Sequence, residues 1–136
     1  MRYLLDVSAL VALGVVEHEF HDRATAWVDR TRSNGGGIEL LTCSITEIGF
    51  VRVLSQTALY GFTVPTARAL LLRMKAQMAA PFGFISDSHD ISRLPGWVKT
   101  PKLITDGHLL QLAEANDAVL ATLDRKIPGA FLIPQG

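Results

Sequence analysis

Arg2-Tyr3-Leu4-Leu5-Asp6-Val7-Ser8 carries a short apolar run, Tyr3 to Leu5, that reads as a buried strand and stops on a carboxylate. Ser8 and the apolar run Ala9-Leu10-Val11-Ala12-Leu13 follow at once. A strand that ends on an acid and hands over to a helix suits an α/β active site, because ligands of open parallel sheets sit outside the carboxyl ends of the strands. The plainer reading makes Asp6 a turn residue and Ser8 the helix N-cap. That reading weakens as the chain continues, because three more carboxylates occupy equivalent places.

The next strand is expected over Ile38 to Cys43, after the flexible connector Ser33-Asn34-Gly35-Gly36-Gly37. The connector is no phosphate loop, since it lacks the lysine and the adjoining Ser/Thr. Ser44-Ile45-Thr46-Glu47 then opens a helix bearing Ile48, Val51 and Leu54. Glu47 has two readings here. Ser-x-x-Glu is the capping-box pattern, in which its carboxylate reaches back to the Ser44 amide. Alternatively Thr46 caps the helix and Glu47 points from the first turn toward the sheet end. Leu103-Ile104-Thr105-Asp106 repeats the theme, with Thr105 as the expected cap and Asp106 in a first turn where the helix dipole favours a charged carboxylate. Ala118 to Leu123 is a continuous apolar run of the kind buried in parallel sheets, and Asp124 closes it.

Between these points helices are expected over Ala9–Val16, residues 20–32 and residues 65–79, with Pro65 suited to a first turn. Phe82 to Ser86 is a candidate short strand, and Phe131-Leu132-Ile133 before Pro134 a final strand at a sheet edge. His18 and His21 have helical spacing but no further ligands nearby, so a solvated helix start is expected rather than a metal site. Asp117, in the turn Asn116-Asp117, is expected to be structural.

Alternating strands and helices give an α/β fold with a mainly parallel sheet flanked by helices. The 136 residues, 49% of them hydrophobic, suit one domain spanning 1–136. A mean hydropathy of +0.26 suggests that some apolar surface is covered by a partner. No apolar run is long enough to span a bilayer, and Asp6 interrupts any basic-then-apolar leader pattern. Cys43 is the only cysteine and sits in an apolar run, so a buried, inert thiol and a reducing cytoplasm are expected. The 13 basic and 13 acidic residues cancel, unlike the basic footprint of a general nucleic-acid binder. An acidic metal cleft would offset basic residues elsewhere, and Arg23, Arg52 and Arg68 are candidates to flank it.

Parallel strands bring all their C-terminal ends to one side, so Asp6, Glu47, Asp106 and Asp124 are expected to converge. Four carboxylates in one cleft repel one another, and a divalent cation removes that cost. An all-oxygen site suits Mg²⁺ or Mn²⁺. Phosphodiester hydrolysis is the chemistry that follows, with Ser8 placed to orient a water or a phosphate oxygen.

The sequence resembles the PIN-domain family. Leu-Leu-Asp-Val-Ser near the start, Thr-Glu-Ile in the middle, Ile-Thr-Asp-Gly-His-Leu-Leu-Gln-Leu-Ala and then Leu-Ala-Thr-Leu-Asp occur in the family's order and spacing over nearly the whole chain. More narrowly, they look like the VapC-type toxins of bacterial toxin–antitoxin pairs. Asp6, Glu47, Asp106 and Asp124 match the family's four acids in turn, and Ser8 its small polar residue. Gly107 and His108 depart from the small residue and aromatic common there. The resemblance implies a Mg²⁺- or Mn²⁺-dependent endoribonuclease, blocked by a cognate antitoxin and usually a homodimer. Two alternatives stand beside it. One is a catalytically silent PIN-like module that binds protein or RNA. The other is an α/β phosphotransfer protein forming an aspartyl-phosphate, although Ser8 stands where haloacid phosphatases carry a second aspartate and a receiver domain's acidic pair is missing.

Overall fold

The structure, a computed structural model, describes residues 1–135. Five parallel strands form one sheet: β1 (Arg2–Leu5), β2 (Glu39–Thr42), β3 (Phe82–Phe84), β4 (Val119–Thr122) and β5 (Phe131–Leu132), in the spatial order β3-β2-β1-β4-β5. Helices α1 (Val7–Gly14) and α2 (His21–Ser33) link β1 to β2, while α3 (Ser44–Gln56) and α4 (Val64–Gln77) link β2 to β3. The chain then crosses β1 by way of α5 (Ile104–Ala115) and returns as β4. The strand order therefore reverses at β1, the kind of switch point beside which open α/β sheets hold ligands.

Strand pleating divides the core into two. Tyr3, Leu5, Leu40 and Ala121 face the layer built from α1 to α4, with Trp27, Phe50 and Leu71 among its buried residues. Leu4, Leu41 and Leu120 face the other way, onto Leu109, Leu112 and Ala113 of α5. Alternate side chains of a strand point to opposite faces, so each inner strand needs apolar residues throughout. Trp27 is core, edge-on to Tyr3 at 4.9 Å between ring centroids, and Cys43 is fully buried.

Three local expectations are corrected. Asp6, not Ser8, is the N-cap of α1: its Oδ1 accepts the Ala9 N–H at 2.8 Å, and Ser8 lies exposed in the first turn. Helix α3 is capped from Cys43, with the Thr46 hydroxyl accepting the Cys43 N–H at 3.0 Å. The Ser44–Glu47 capping box is therefore not formed, and Glu47 is released for other contacts. Helix α5 grows straight out of a 3₁₀ turn at Pro101–Leu103, so Thr105 falls inside the helix rather than at its cap.

Gly107 is explained by packing. A Cβ there would meet the Val98 Cγ2 at 2.3 Å, because the loop before α5 crosses directly over its first turn. Gly107→Ala is therefore expected to destabilise the protein by about 1–3 kcal/mol, the usual cost of overpacking, despite alanine's better helix propensity. Urea unfolding measures it, and an unchanged or raised midpoint would contradict this packing.

Candidate active site

The C-terminal ends of β1 and β4 meet in a relay of hydrogen bonds. The Asp124 N–H donates to the Thr122 hydroxyl at 3.0 Å, and that hydroxyl donates to Asp6 Oδ2 at 2.5 Å. Oδ1 of Asp6 is taken by the α1 cap. Asp6 is only 5% exposed and Thr122 only 1%. Burial pushes the Asp6 carboxyl up to about 6, and Asp106 and Asp124 push in the same direction. The Thr122 and Ala9 bonds oppose that rise. Asp106, half-buried in the first turn of α5, is also raised, first by burial and then by Asp124. Three of the four predicted acids thus lie close enough to sense one another's charge.

Asp124 is exposed at the mouth, its Oδ1 accepting the Lys126 N–H at 2.9 Å. It shares a shallow pocket with Ser8, His18 and Phe20. The two early histidines are structural, though less solvated than expected. His18 Nδ1 accepts the Phe20 N–H, and His21 Nδ1 lies 2.8 Å from the Ala12 carbonyl, tying α2 to α1.

Glu47 is placed differently. Its Oε2 accepts the Thr42 hydroxyl at 2.6 Å and also the Lys75 ammonium of α4. Lys75 lies in turn over the Phe84 ring. Glu47 is absent from the charges that shift Asp6. It stands at the β2 end of the cleft with a counter-charge of its own. Thr42 and Thr122 are the last residues of the two strands flanking β1, and each donates its hydroxyl to the acid next to it. Sequence reading missed both threonines and Lys75. Neither threonine adjoins its acid in the sequence, and Lys75 lies 28 residues from Glu47, so no local pattern marked any of the three.

Of the candidate flanking arginines, Arg52 and Arg68 are exposed along the groove between α3 and α4. Arg23 instead stacks on Phe20 and donates to the Ile133 and Pro134 carbonyls.

Asp6, Asp106 and Asp124 fit a hard divalent cation by donor chemistry, since all are carboxylates. Among the described residues no three acidic, histidine or cysteine side chains stand close enough together to hold a metal ion as they are placed.

No helix among the described residues is long and apolar enough to cross a membrane. No family model matches the sequence. Ribonuclease VapC44 of Mycobacterium tuberculosis is 38% identical over 141 residues, covering 96% of this chain and 94% of that protein. Two solved structures share the fold. VapBC2 from Rickettsia felis, bound to a promoter DNA fragment, matches with a TM-score of 0.62 and 17% identity, covering 97% of both chains. VapC20 of M. tuberculosis, described as a sarcin–ricin loop cleaving toxin, matches with a TM-score of 0.61 and 10% identity, covering 98% of this chain and 99% of that one. The acids at the switch point beside β1 and the 38% identity to a named ribonuclease over nearly the full length agree: this chain belongs to the VapC family of PIN-domain ribonuclease toxins.

Proposed function

We propose that this endoribonuclease cuts RNA in the cleft of Asp6, Asp106 and Asp124 with a Mg²⁺ or Mn²⁺ ion held by those carboxylates. The observation that carries the reading is Asp6 at the switch point, its carboxyl raised first by burial and then, in smaller measure, by Asp106 and Asp124. When bound, such an ion supplies Lewis acidity toward water and phosphate. The chain's own residues prepare the place. The Ala9 N–H and the Thr122 hydroxyl hold both oxygens of Asp6 in one orientation and favour its ionised form. The Asp124 N–H, bonded to the same hydroxyl, locks the strand end against it. Ser8, exposed beside Asp124, offers a hydroxyl to a water or phosphate oxygen. Glu47, matched by Thr42 and Lys75, completes the acidic rim as a fourth ligand or outer support.

The proposed partners are the RNA substrate, a cognate antitoxin and a second copy of this chain, with action in the cytoplasm. Exposed Ile48, Val64 and Leu72 between α3 and α4 are surface of the kind a protein partner covers.

Isothermal titration with Mn²⁺ tests the ligand assignment. Binding is expected in the wild type, with at least a tenfold loss, about 1.4 kcal/mol, in Asp106→Asn. Equal affinity in both would reject it. Thr122→Val is a second test. Without the hydroxyl, one of the groups opposing the Asp6 rise is gone, so the acid limb of the cleavage pH profile is expected to move upward. An unmoved limb would mean that Asp6 ionisation does not govern the rate.

A further inference from the structure

Between β3 and α5 the chain wanders through residues 85–103, broken only by 3₁₀ turns at Ile91–Arg93 and Pro101–Leu103. This loop roofs a pocket of about 310 Å³. Thr105, which lines it, immediately precedes Asp106, and Ile45, on the opposite wall, stands two residues before Glu47. The pocket therefore lies against the first turns of α3 and α5, the same turns that carry Glu47 and Asp106.

The lining combines an apolar part with a fixed polar edge. Ile91, Leu94 and Ile104 supply the apolar part. On the polar edge, His108 Nε2 donates to Asp87 Oδ1 at 2.6 Å, both side chains being mostly buried. A carboxylate can only accept from that nitrogen, so Asp87 fixes the ring and leaves Nδ1 as its other polar edge. His89 is held in the same way, its Nδ1 against the Gln111 side-chain oxygen. Two imidazoles and a carboxylate are thus preset around a cavity that the cutting chemistry does not use.

The charge on this edge selects the ligand. Asp87 and Asp90 both line the pocket, which repels a phosphate and favours a group with N–H donors. Arg93, Lys99 and Lys102 are exposed on the same loop, and none takes part in the ion pairs among the described residues. They give the loop a local basic surface, suited to phosphates, that the neutral whole-chain charge conceals. Sequence-specific RNA recognition generally works on unstacked bases lodged against flat side chains and read along their hydrogen-bonding edges. Guanine presents adjacent N1–H and N2–H donors that match a carboxylate. Uracil presents a single N–H between two carbonyls.

We propose that the pocket bounded by Asp87, His89, Ile91, Leu94, Ile104 and His108 is a base subsite that takes a guanine next to the scissile phosphate. Asp87 is its reading residue and His108 its positioning partner. The proposal rests on the RNA-cleaving reading of the neighbouring acids.

Two measurements test it and separate it from that reading. The first is binding of a pentauridylate, and of the same oligonucleotide with a central guanosine, to the full-length Asp6→Asn protein. It is followed by the imidazole C–H resonances of His89 and His108. The guanosine oligonucleotide is expected to bind about tenfold more tightly, the scale of a paired base contact, and to shift both sets of resonances. Asp87→Asn should abolish the preference while the protein still melts cooperatively. The second is cleavage of a random-sequence RNA pool by the wild type, with the cut ends sequenced. Guanine is expected beside the cut, and Asp87→Asn should lower kcat/KM about tenfold at those sites only. His89→Ala supplies an independent variant, expected to weaken the same preference. Equal binding of both oligonucleotides, or resonances of His89 and His108 that stay fixed, would overturn the proposal even if RNA is cut. Absence of cutting alongside selective guanosine binding would instead overturn the metal-cleft reading and leave the subsite standing.

Discussion

Asp6→Asn is expected to lower RNA cleavage about a thousandfold or more, the scale on which loss of one member of a catalytic constellation is felt. Asparagine is nearly isosteric with aspartate. Its side-chain oxygen can still accept the Ala9 N–H that caps α1, and its amide can donate to the Thr122 hydroxyl. The change therefore removes one negative charge and one anionic ligand atom from the end of β1 while leaving the strand and the cap in place. It reverses the Thr122 bond, so that the hydroxyl accepts from the introduced amide as well as from the Asp124 N–H. Single-turnover cleavage of a uniformly labelled RNA checks it. A rate within tenfold of wild type would remove Asp6 from the chemistry. Loss of activity through unfolding is separated by the melting temperature, which is not expected to fall at neutral pH.

The second large effect concerns stability. The Asp6 carboxyl titrates near 3.8 in the unfolded chain and near 6 when folded. Below about pH 4 it is protonated in both states and costs nothing. Between about pH 4 and 6 the folded protein keeps a proton that the unfolded chain has released, so folding stability falls as pH rises; above about 6 the loss is complete. Two pKa units correspond to about 3 kcal/mol. The metal-free wild type is therefore expected to lose about this much, relative to Asp6→Asn, as the pH is raised from 4 to 7. The variant should then be the more stable protein at neutral pH. Urea titrations of both proteins in EDTA across that range measure the difference. A constant difference would show that burial does not strain Asp6. The site trades stability for a carboxylate held dehydrated beside two others, a cost that a cation would offset on binding.

Much of this was legible in the sequence because it depends on short-range pattern. An apolar run that stops on an acid can be read from neighbouring residues, and Asp6 and Asp124 stand at strand ends as that pattern implies. Asp106 instead follows a long loop and a 3₁₀ turn rather than a strand, and reaches the cleft from the first turn of α5. The five strands followed from the same runs, down to the edge strand before Pro134. What failed was finer or longer-ranged. Whether Asp6 or Ser8 caps α1, and whether Thr105 or the preceding turn starts α5, depends on backbone dihedrals one residue apart. Thr122 and Thr42 look like ordinary strand residues until the sheet aligns their hydroxyls with Asp6 and Glu47. The pairing of Glu47 with Lys75 joins two helices far apart in the chain, and no local periodicity announces it. The pocket beside Asp106 was hidden for the same reason: its walls come from α3, α5 and an irregular loop.

The most direct test of the acidic cleft is RNA cleavage by the purified, antitoxin-free protein in Mg²⁺ or Mn²⁺, in excess EDTA, and after the ion is restored. Cutting that requires the ion, stops in EDTA, returns on its restoration and is missing in Asp6→Asn is the predicted result. Cutting that continues unchanged in EDTA, or at full rate in Asp6→Asn, would contradict it.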